Sequence, residues 1–482
     1  MRRDAKEQGQ NFVEIAAEVA RKEGFVLEFP PAMPLPAYGA DDSDARDQRY
    51  LPWTSIDNLE STDLDQVEVA ERLPDGGIRL RIGIADVDEM VPLGSPLDVR
   101  AAHNTCSLYA GPATFPMLPD SLSSGATSLL PDQDRLAMVT QIDVGPDGEI
   151  GGVDVYRAWV RNRAKLVYSD VGAWLEGRGP APEPLANYEE LADQVRMHDD
   201  AAQRMRRLRI KHGALELDTS EARTVTKDGV IVALKVLERD RARTTIEDLM
   251  IAANGATARF LEGRRIASIR RVVRAPKRWD RIMELATSRG ATLPATPDAV
   301  ALSEFLQAQR VAHPETYAEL SLSVVKLMGP GEYAVADPDS PEGHFGLAVE
   351  DYAHSTAPNR RYGDLVTQRI LKAAAKGAPQ PYDVPALWRI ARQCTEAEDR
   401  ARAFERTMRK VAAALFLSTR IGDTFDAVVT GRGPKGVFVR LISPPAEGRV
   451  VKGEEGLDVG DSTRVRLLAT EPVRGFIDFG VV

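Results

Sequence analysis

Asp57, Asp63 and Asp65 fall within nine residues of the stretch Ser55 to Glu68, S-I-D-N-L-E-S-T-D-L-D-Q-V-E. Glu60 and Glu68 flank them, and no Lys or Arg interleaves. Carboxylates crowded this closely repel one another unless each is turned to water or they share a cation. Hard oxygen donors favour Mg²⁺ or Mn²⁺, and a magnesium site takes a few carboxylates together with waters and substrate phosphates. A solvated acidic loop, or Asp and Ser/Thr capping a helix, would show the same composition. An EF-hand calcium loop fits less well, because it requires Gly at its sixth position, where a count from Asp57 finds Thr62.

The elements that would carry such a loop belong to a chain of 482 residues, long enough for about three domains. Its 43% hydrophobic and 28% charged content is that of a globular protein. No apolar run approaches the roughly 18 residues of a membrane span, and Met1-Arg-Arg-Asp-Ala-Lys leads into no signal-peptide core, so a cytoplasmic protein away from membranes is expected. Cys106 and Cys394 lie far apart without CxxC spacing, and the six histidines form no HExxH or HxH pattern; neither a disulfide framework nor zinc hydrolysis is indicated. The net charge of −10 argues against a basic coat for nonspecific nucleic-acid binding. The cations nevertheless cluster, at Arg204–Lys211, Arg264–Arg278, Arg360–Arg361 and Arg406–Lys410. Together with an acidic metal loop, such clusters fit a polyanionic substrate better than a small neutral one.

Phe12, Val13, Ile15, Ala16, Val19 and Ala20 recur at helical spacing before Gly24, and Phe29 to Pro36 is too proline-rich for a helix interior, so an amphipathic helix and an extended strap are predicted. From Leu51 the texture is α+β. Ile78 to Asp86 alternates as a strand after the turn Pro74-Asp-Gly-Gly, and Leu136–Val144 with Gly151–Trp159 forms a second hairpin. Helical patterns cover Tyr188–Arg209, Thr245–Glu262, Leu365–Ala375 and Ala386–Ser418. After Gly422, five short strand patterns in about sixty residues predict a small OB-type β-barrel. Phe438, between Val437 and Val439, is a candidate for stacking on a base, although a lone Phe in a strand is more often core.

Three further stretches match the acidic loop in chemistry. Pro358-Asn-Arg-Arg-Tyr-Gly-Asp364 sets Arg360 and Arg361 at a turn opening a helix, where both guanidinium forks and helix N-termini suit phosphate oxygens. Asn104–Pro119 holds Tyr109 and F-P-M-L-P, and Asn162–Tyr168 places a second tyrosine just before a helix. Taken in order, S-I-D-N-L-E-S-T-D-L-D-Q, I-A-D, T-F-P-M-L-P, R-A-K-L-V-Y, I-E-D-L-M-I-A-A-N and H-F-G-L-A-V-E-D-Y-A-H-S-T-A-P-N-R-R-Y-G-D resemble the ribonuclease II/RNase R (RNB) exoribonuclease family over roughly residues 50–375. The terminal barrel resembles the S1 domain that follows in that family.

The resemblance implies an N-terminal helix and strap over 1–49, an RNB catalytic domain over 50–420 with a mixed sheet surrounded by helices, and an S1 domain over 421–482. It implies a processive, hydrolytic 3′ to 5′ exoribonuclease, here a monomer, acting on single-stranded RNA and releasing nucleoside 5′-monophosphates with Mg²⁺, or Mn²⁺. The family's four carboxylates fall on Asp57, Asp63, Asp65 and position 66. Asp57, Asp63, Asp65 and Gln66 would then surround the metal, and Arg360 would face the phosphate. Tyr109, Tyr168, Arg361, Phe438 and either Glu247 or Asp248 would hold RNA. Gln66 stands where the family has Asp, Asn359 where an aliphatic is usual, Ala357 in place of a small hydroxylated residue, and Leu217 where some members carry an aromatic. The family's two N-terminal cold-shock barrels cannot fit in about fifty residues, so RNA capture would depend on the N-terminal segment, the barrel or a partner. A non-catalytic RNA-binding relative, impaired at Gln66, is the alternative.

Overall fold

Alternation of apolar side chains along extended segments builds the central sheet. Its seven strands run in the order Arg46–Asp47, Ile150–Arg161, Asp134–Val144, Ile78–Ala85, Gln66–Arg72, Thr54–Asp57 and Ala164–Val167, with parallel pairs only at the two edges. The computed structural model describes residues 2–31, 36–39, 42–111, 113–218, 222–227, 230–236, 239–336, 345–349, 352–434 and 436–482, with side chains of the first helix from Phe12 onward. Successive side chains of a strand point to opposite faces. Accordingly Ile78, Leu80, Ile82 and Ile84 enter one core with Ile56 and Ala70, whereas Val67 and Val69 enter the other with Trp53. Helices Tyr168–Leu175, Glu189–Lys211 and Arg241–Glu262 cover the first face; Tyr362–Lys376 and Val384–Leu417 supply the second. The turn joining Asp134–Val144 to Ile150–Arg161 needs glycine at 148, where φ is +93° and a Cβ would stand 2.3 Å from the Arg204 carbonyl oxygen.

Helix Tyr362–Lys376 is fixed to the sheet by charge as well as by Leu365, Val366, Ile370 and Leu371. Arg369 is paired at 2.7 Å with both Asp88 and Asp98, and Lys372 at 2.9 Å with Asp86. Arg157, with its side chain 1% exposed, joins Asp86, Asp44 and Glu89 at 2.7–3.0 Å. Buried cations persist only when paired in this way.

The five predicted strands after Gly422 form a closed barrel, from Thr424–Gly433 to Phe476–Val481. Ala413, Ala414 and Leu417 at the end of the 34-residue helix Val384–Leu417 enter the barrel core. The predicted amphipathic helix spans Arg2–Lys22, and Phe12, Ile15, Ala16 and Ala20 pack against the Leu108–Ala110/Ala113–Phe115 hairpin and the long helix. Val13, expected on that apolar face, is instead 45% exposed, because the buried stripe is narrower than the sequence pattern. Just before the predicted strap, Arg100 donates to the carbonyls of Val26, Leu27 and Glu28, and its guanidinium lies 3.9 Å from the centre of the Phe29 ring. Residues 32–35 of the strap lie outside the described residues. Helices Trp279–Ser288, Ala299–Ala312 and Tyr317–Met328 form a separate small core that the sequence patterns do not predict; Leu217 packs against it. Among the described residues no helix is long and apolar enough to cross a membrane.

His198, fully buried with neither ring nitrogen partnered, is held by burial at a pKa of about 3. The unfolded chain takes up this proton near 6.5, so this contribution to stability is lost as pH falls from about 6.5 towards 3. Replacing His198 by Leu is expected to flatten that part of the stability–pH curve, read by chemical denaturation at several pH values.

Candidate active site

The acidic loop leaves the Thr54–Asp57 strand and returns as Gln66–Arg72. Asp57 Oδ1 accepts from the Asn58 amide at 2.6 Å and the Ser61 hydroxyl at 2.7 Å, contacts that tie the start of the loop to its own strand end. Lys165 Nζ donates to the carbonyls of Leu59 (2.8 Å) and Ser61 (2.6 Å), and buried Ser128 bridges the Thr62 carbonyl and the Leu64 amide. The crowding noted in the sequence is therefore borne by a loop tied at both ends.

The arginine turn is held by a different segment. Ser107 N donates to Arg360 O at 3.0 Å, Tyr362 N to Thr105 O at 2.7 Å, and Ala357 N to Asp364 Oδ1 at 2.8 Å. Tyr109 lies two residues beyond Ser107, with its side chain partly exposed and its phenol within electrostatic reach of Arg360, Asp63 and Asp65.

The two parts meet at Asp65. Its carboxylate is almost fully buried, accepts from Asn359 Nδ2 at 2.9 Å, and lies 3.5 Å from Arg360 Nε. Burial pushes it up to about 6 against the opposing pull of Arg360 and Asn359. Asp63 is also raised, first by burial and then by Asp57, with Arg360 pulling it down. The three aspartates and Arg360 thus share one electrostatic neighbourhood. Arg360 is 46% exposed and open to a ligand; Arg361 turns inward to Asp364 at 2.7 Å.

On the other side of the loop, Arg243 donates to Asn58 Oδ1 at 2.8 Å and lies 4.4 Å from the centre of the Tyr168 ring, whose phenol is raised by burial and then by Asp57 and Glu68. Gln66 is buried, its amide 3.4 Å from the Ile56 carbonyl. Glu68 is 1% exposed with neither carboxylate oxygen partnered, and is raised well above the usual range by burial and then by Asp57. Asp248 is buried and paired with Arg206 and Arg209; Glu247 is half-exposed and paired with Arg239. Phe438, on the barrel, is 37% exposed opposite Arg449. Sequence reasoning does not find Lys165, Arg243, Ser128 or Thr127; of these only Lys165, in R-A-K-L-V-Y, carries a signal, a cation beside an acidic loop.

Among the described residues no three Asp, Glu, His or Cys side chains are close enough to form a metal cage. Asp57 Oδ1 and Asp65 Oδ1 each accept a hydrogen bond from a protein donor. The hard-oxygen donor set of Asp57, Asp63 and Asp65 with Arg360 opposite still fits Mg²⁺ shared with substrate phosphate and water, which needs only one or two carboxylates.

Residues 45–377 match the RNB domain family, and residues 423–482 the C-terminal S1 domain of RNase II-type exonucleases. The chain belongs to the RNB family. It is 31% identical over 421 residues to ribonuclease R of Escherichia coli, covering 82% of this chain and 49% of that protein. It is 28% identical over 450 residues to ribonuclease R 1 of Lactococcus lactis, covering 91% and 54%. The chain spans about half the length of these relatives. Mycoplasma genitalium RNase R, solved in complex with ribose-methylated single-stranded RNA, shares the fold with a TM-score of 0.85 at 23% identity, over 97% of this chain and 77% of that one. Yeast Ssd1, described as a pseudonuclease, shares it with a TM-score of 0.70 at 17% identity, over 90% and 55%.

Lys165→Met, which removes the cation from the Leu59 and Ser61 carbonyls, is expected to speed hydrogen exchange at Asn58–Ser61 with little change in melting temperature. Unchanged exchange there would show that the loop does not depend on Lys165.

Proposed function

We propose that this chain is a processive, metal-dependent exoribonuclease that shortens single-stranded RNA from its 3′ end and releases nucleoside 5′-monophosphates. The observation that carries this reading is the meeting of Asp65 with the Asn359–Arg360 turn across 294 residues of a chain in the RNB family. Asp57, Asp63 and Asp65 would hold Mg²⁺, with the Gln66 carbonyl as a further candidate. The metal would supply an activated water and charge stabilisation at the phosphate. Arg360, exposed and beside Asp65, would neutralise charge growing on the non-bridging oxygens. In the hydrolysis, the water oxygen bonds to phosphorus, the bond from phosphorus to the 3′ oxygen breaks, and that oxygen takes up a proton. The products are a mononucleotide with a 5′-phosphate and an RNA one residue shorter.

Tyr109 and Tyr168 lie on opposite sides of the aspartates in this reading, as rings against the last nucleotides, with Arg243 steadying Tyr168. Asp248, Glu247 and Arg361 are tied to protein partners, so their contacts with RNA would require those pairs to open. Phe438 is proposed as a stacking ring on the barrel. The division into 1–49, 50–420 and 421–482 is proposed with the activity, as is action as a monomer.

A second reading, an RNA-binding member without turnover, is favoured by Gln66, and a shared fold alone does not decide, since Ssd1 has it too. Pure protein incubated with end-labelled single-stranded RNA and Mg²⁺ distinguishes the two. Mononucleotide release abolished by Asp65→Asn, and lowered about 10²–10³-fold by Arg360→Ala, is expected; RNA binding without degradation by the unaltered protein would establish the second reading. Gln66→Asp is expected to lower the Mg²⁺ concentration for half-maximal activity. An unchanged or raised requirement would remove Gln66 from the metal site.

A further inference from the structure

Asn359 in the arginine turn is a polar side chain, 2% exposed, at a position where the family resemblance leads one to expect an aliphatic. A buried amide costs stability unless its donors and acceptor are satisfied. Here the site itself supplies a partner to both the nitrogen and the oxygen. The carboxylate of Asp65 can only accept, so the nitrogen of Asn359 faces it, at 2.9 Å from Oδ1. The amide oxygen then faces the Thr127 hydroxyl at 2.9 Å, and that hydroxyl also lies 2.8 Å from the Leu122 carbonyl, sharing its single proton between the two. Thr127 is 1% exposed and follows the π-helical turn Ser121–Ala126, so the anchor of this chain of contacts is backbone rather than a flexible side chain.

We infer that Asn359, held by Thr127, is a positioning residue that fixes the orientation of the Asp65 carboxylate and presents its Oδ2 to the metal. The inference rests on the metal site proposed above. A neutral amide is suited to this task. It satisfies Oδ1 without adding a positive charge that would compete with a cation, while Oδ2 is left on the side of Arg360, at 3.5 Å from its Nε, too long for a hydrogen bond. An aliphatic side chain at 359 would leave Asp65 Oδ1 in a buried site with no donor and free the carboxylate to rotate. With Gln rather than Asp at position 66, the site has one fewer ionised ligand, so the orientation of each remaining carboxylate carries more of the affinity. Groups that orient metal ligands in this way typically change metal affinity 10–100-fold when removed.

Mn²⁺ titration of the RNA-free full chain by calorimetry tests this, alongside thermal melts of the metal-free proteins. Asn359→Leu, similar in size and without a donor, is expected to weaken Mn²⁺ binding about 10–100-fold. Thr127→Val is expected to weaken it less, in the same direction, and Thr127→Ser, which keeps the hydroxyl, to behave as the unaltered protein. A structural role alone would lower the melting temperature of Asn359→Leu but leave the Mn²⁺ affinity of the folded protein unchanged, and that result would overturn the inference. Should Asn359→Leu not fold, the Thr127 pair decides: equal Mn²⁺ affinity in the Val and Ser variants overturns it. So would Mn²⁺ binding by the unaltered protein that Asp65→Asn does not reduce, or no Mn²⁺ binding at all. A protein that shows the expected affinity losses yet releases no mononucleotide from RNA supports the positioning role of Asn359 and removes the nuclease activity.

Discussion

A carboxylate buried beside two others is the constraint around which this fold is arranged. Asp65 has lost most of its contact with water, and an ionised group in that position is tolerated only with hydrogen-bond donors or a cation at hand. Both its donor and its nearest cation come from Asn359 and Arg360, nearly three hundred residues later. The loop and the turn must therefore be brought to one place to within a fraction of an ångström. Much of the surrounding architecture serves that registration: the Ser107–Arg360 backbone contact and the Ala357–Asp364 hydrogen bond hold the turn, and the Ser128 bridge holds the loop.

The same logic acts at a larger scale through helix Tyr362–Lys376. Its first turn adjoins Arg360, and its last two turns send Arg369 and Lys372 into a buried cluster of aspartates at the end of a central strand. Apolar packing alone would let such a helix slide by small amounts at little cost. Breaking a buried, multiply paired cation costs about 3–5 kcal/mol, so the ion pairs set the helix position and with it the reach of the arginine turn.

The two faces of the sheet divide the acidic residues into different roles. Asp65 meets the arginine turn, whereas Glu68 lies with Tyr168 and the edge of the Asp57 loop, buried and unpartnered, its carboxyl raised well above the usual range by burial. Proximity in sequence to the aspartates thus does not make Glu68 equivalent to them. The extended backbone turns neighbouring side chains to opposite sides; the guanidinium on one side, Arg360, lies beside Asp65, while the one on the other, Arg243, is taken up by Asn58 and the Tyr168 ring.

The sequence by itself determined the family and many of the elements. Period-two runs such as Ile78–Ala85 and period-3.6 runs such as Val384–Leu417 are local patterns, and the ordered motifs alone single out Asp57, Asp63, Asp65 and Arg360. It did not reveal the three helices Trp279–Ser288, Ala299–Ala312 and Tyr317–Met328, which are short and separated by links containing proline and glycine, nor the inward turn of Arg361, since two adjacent arginines look alike until one finds Asp364. Asn359 stood out only as a departure from a pattern. That it faces Asp65 on one side and Thr127 on the other was decided by the tertiary structure, because hydrogen bonds between residues hundreds of positions apart leave no periodicity in the chain and exist only once the sheet and helix have met.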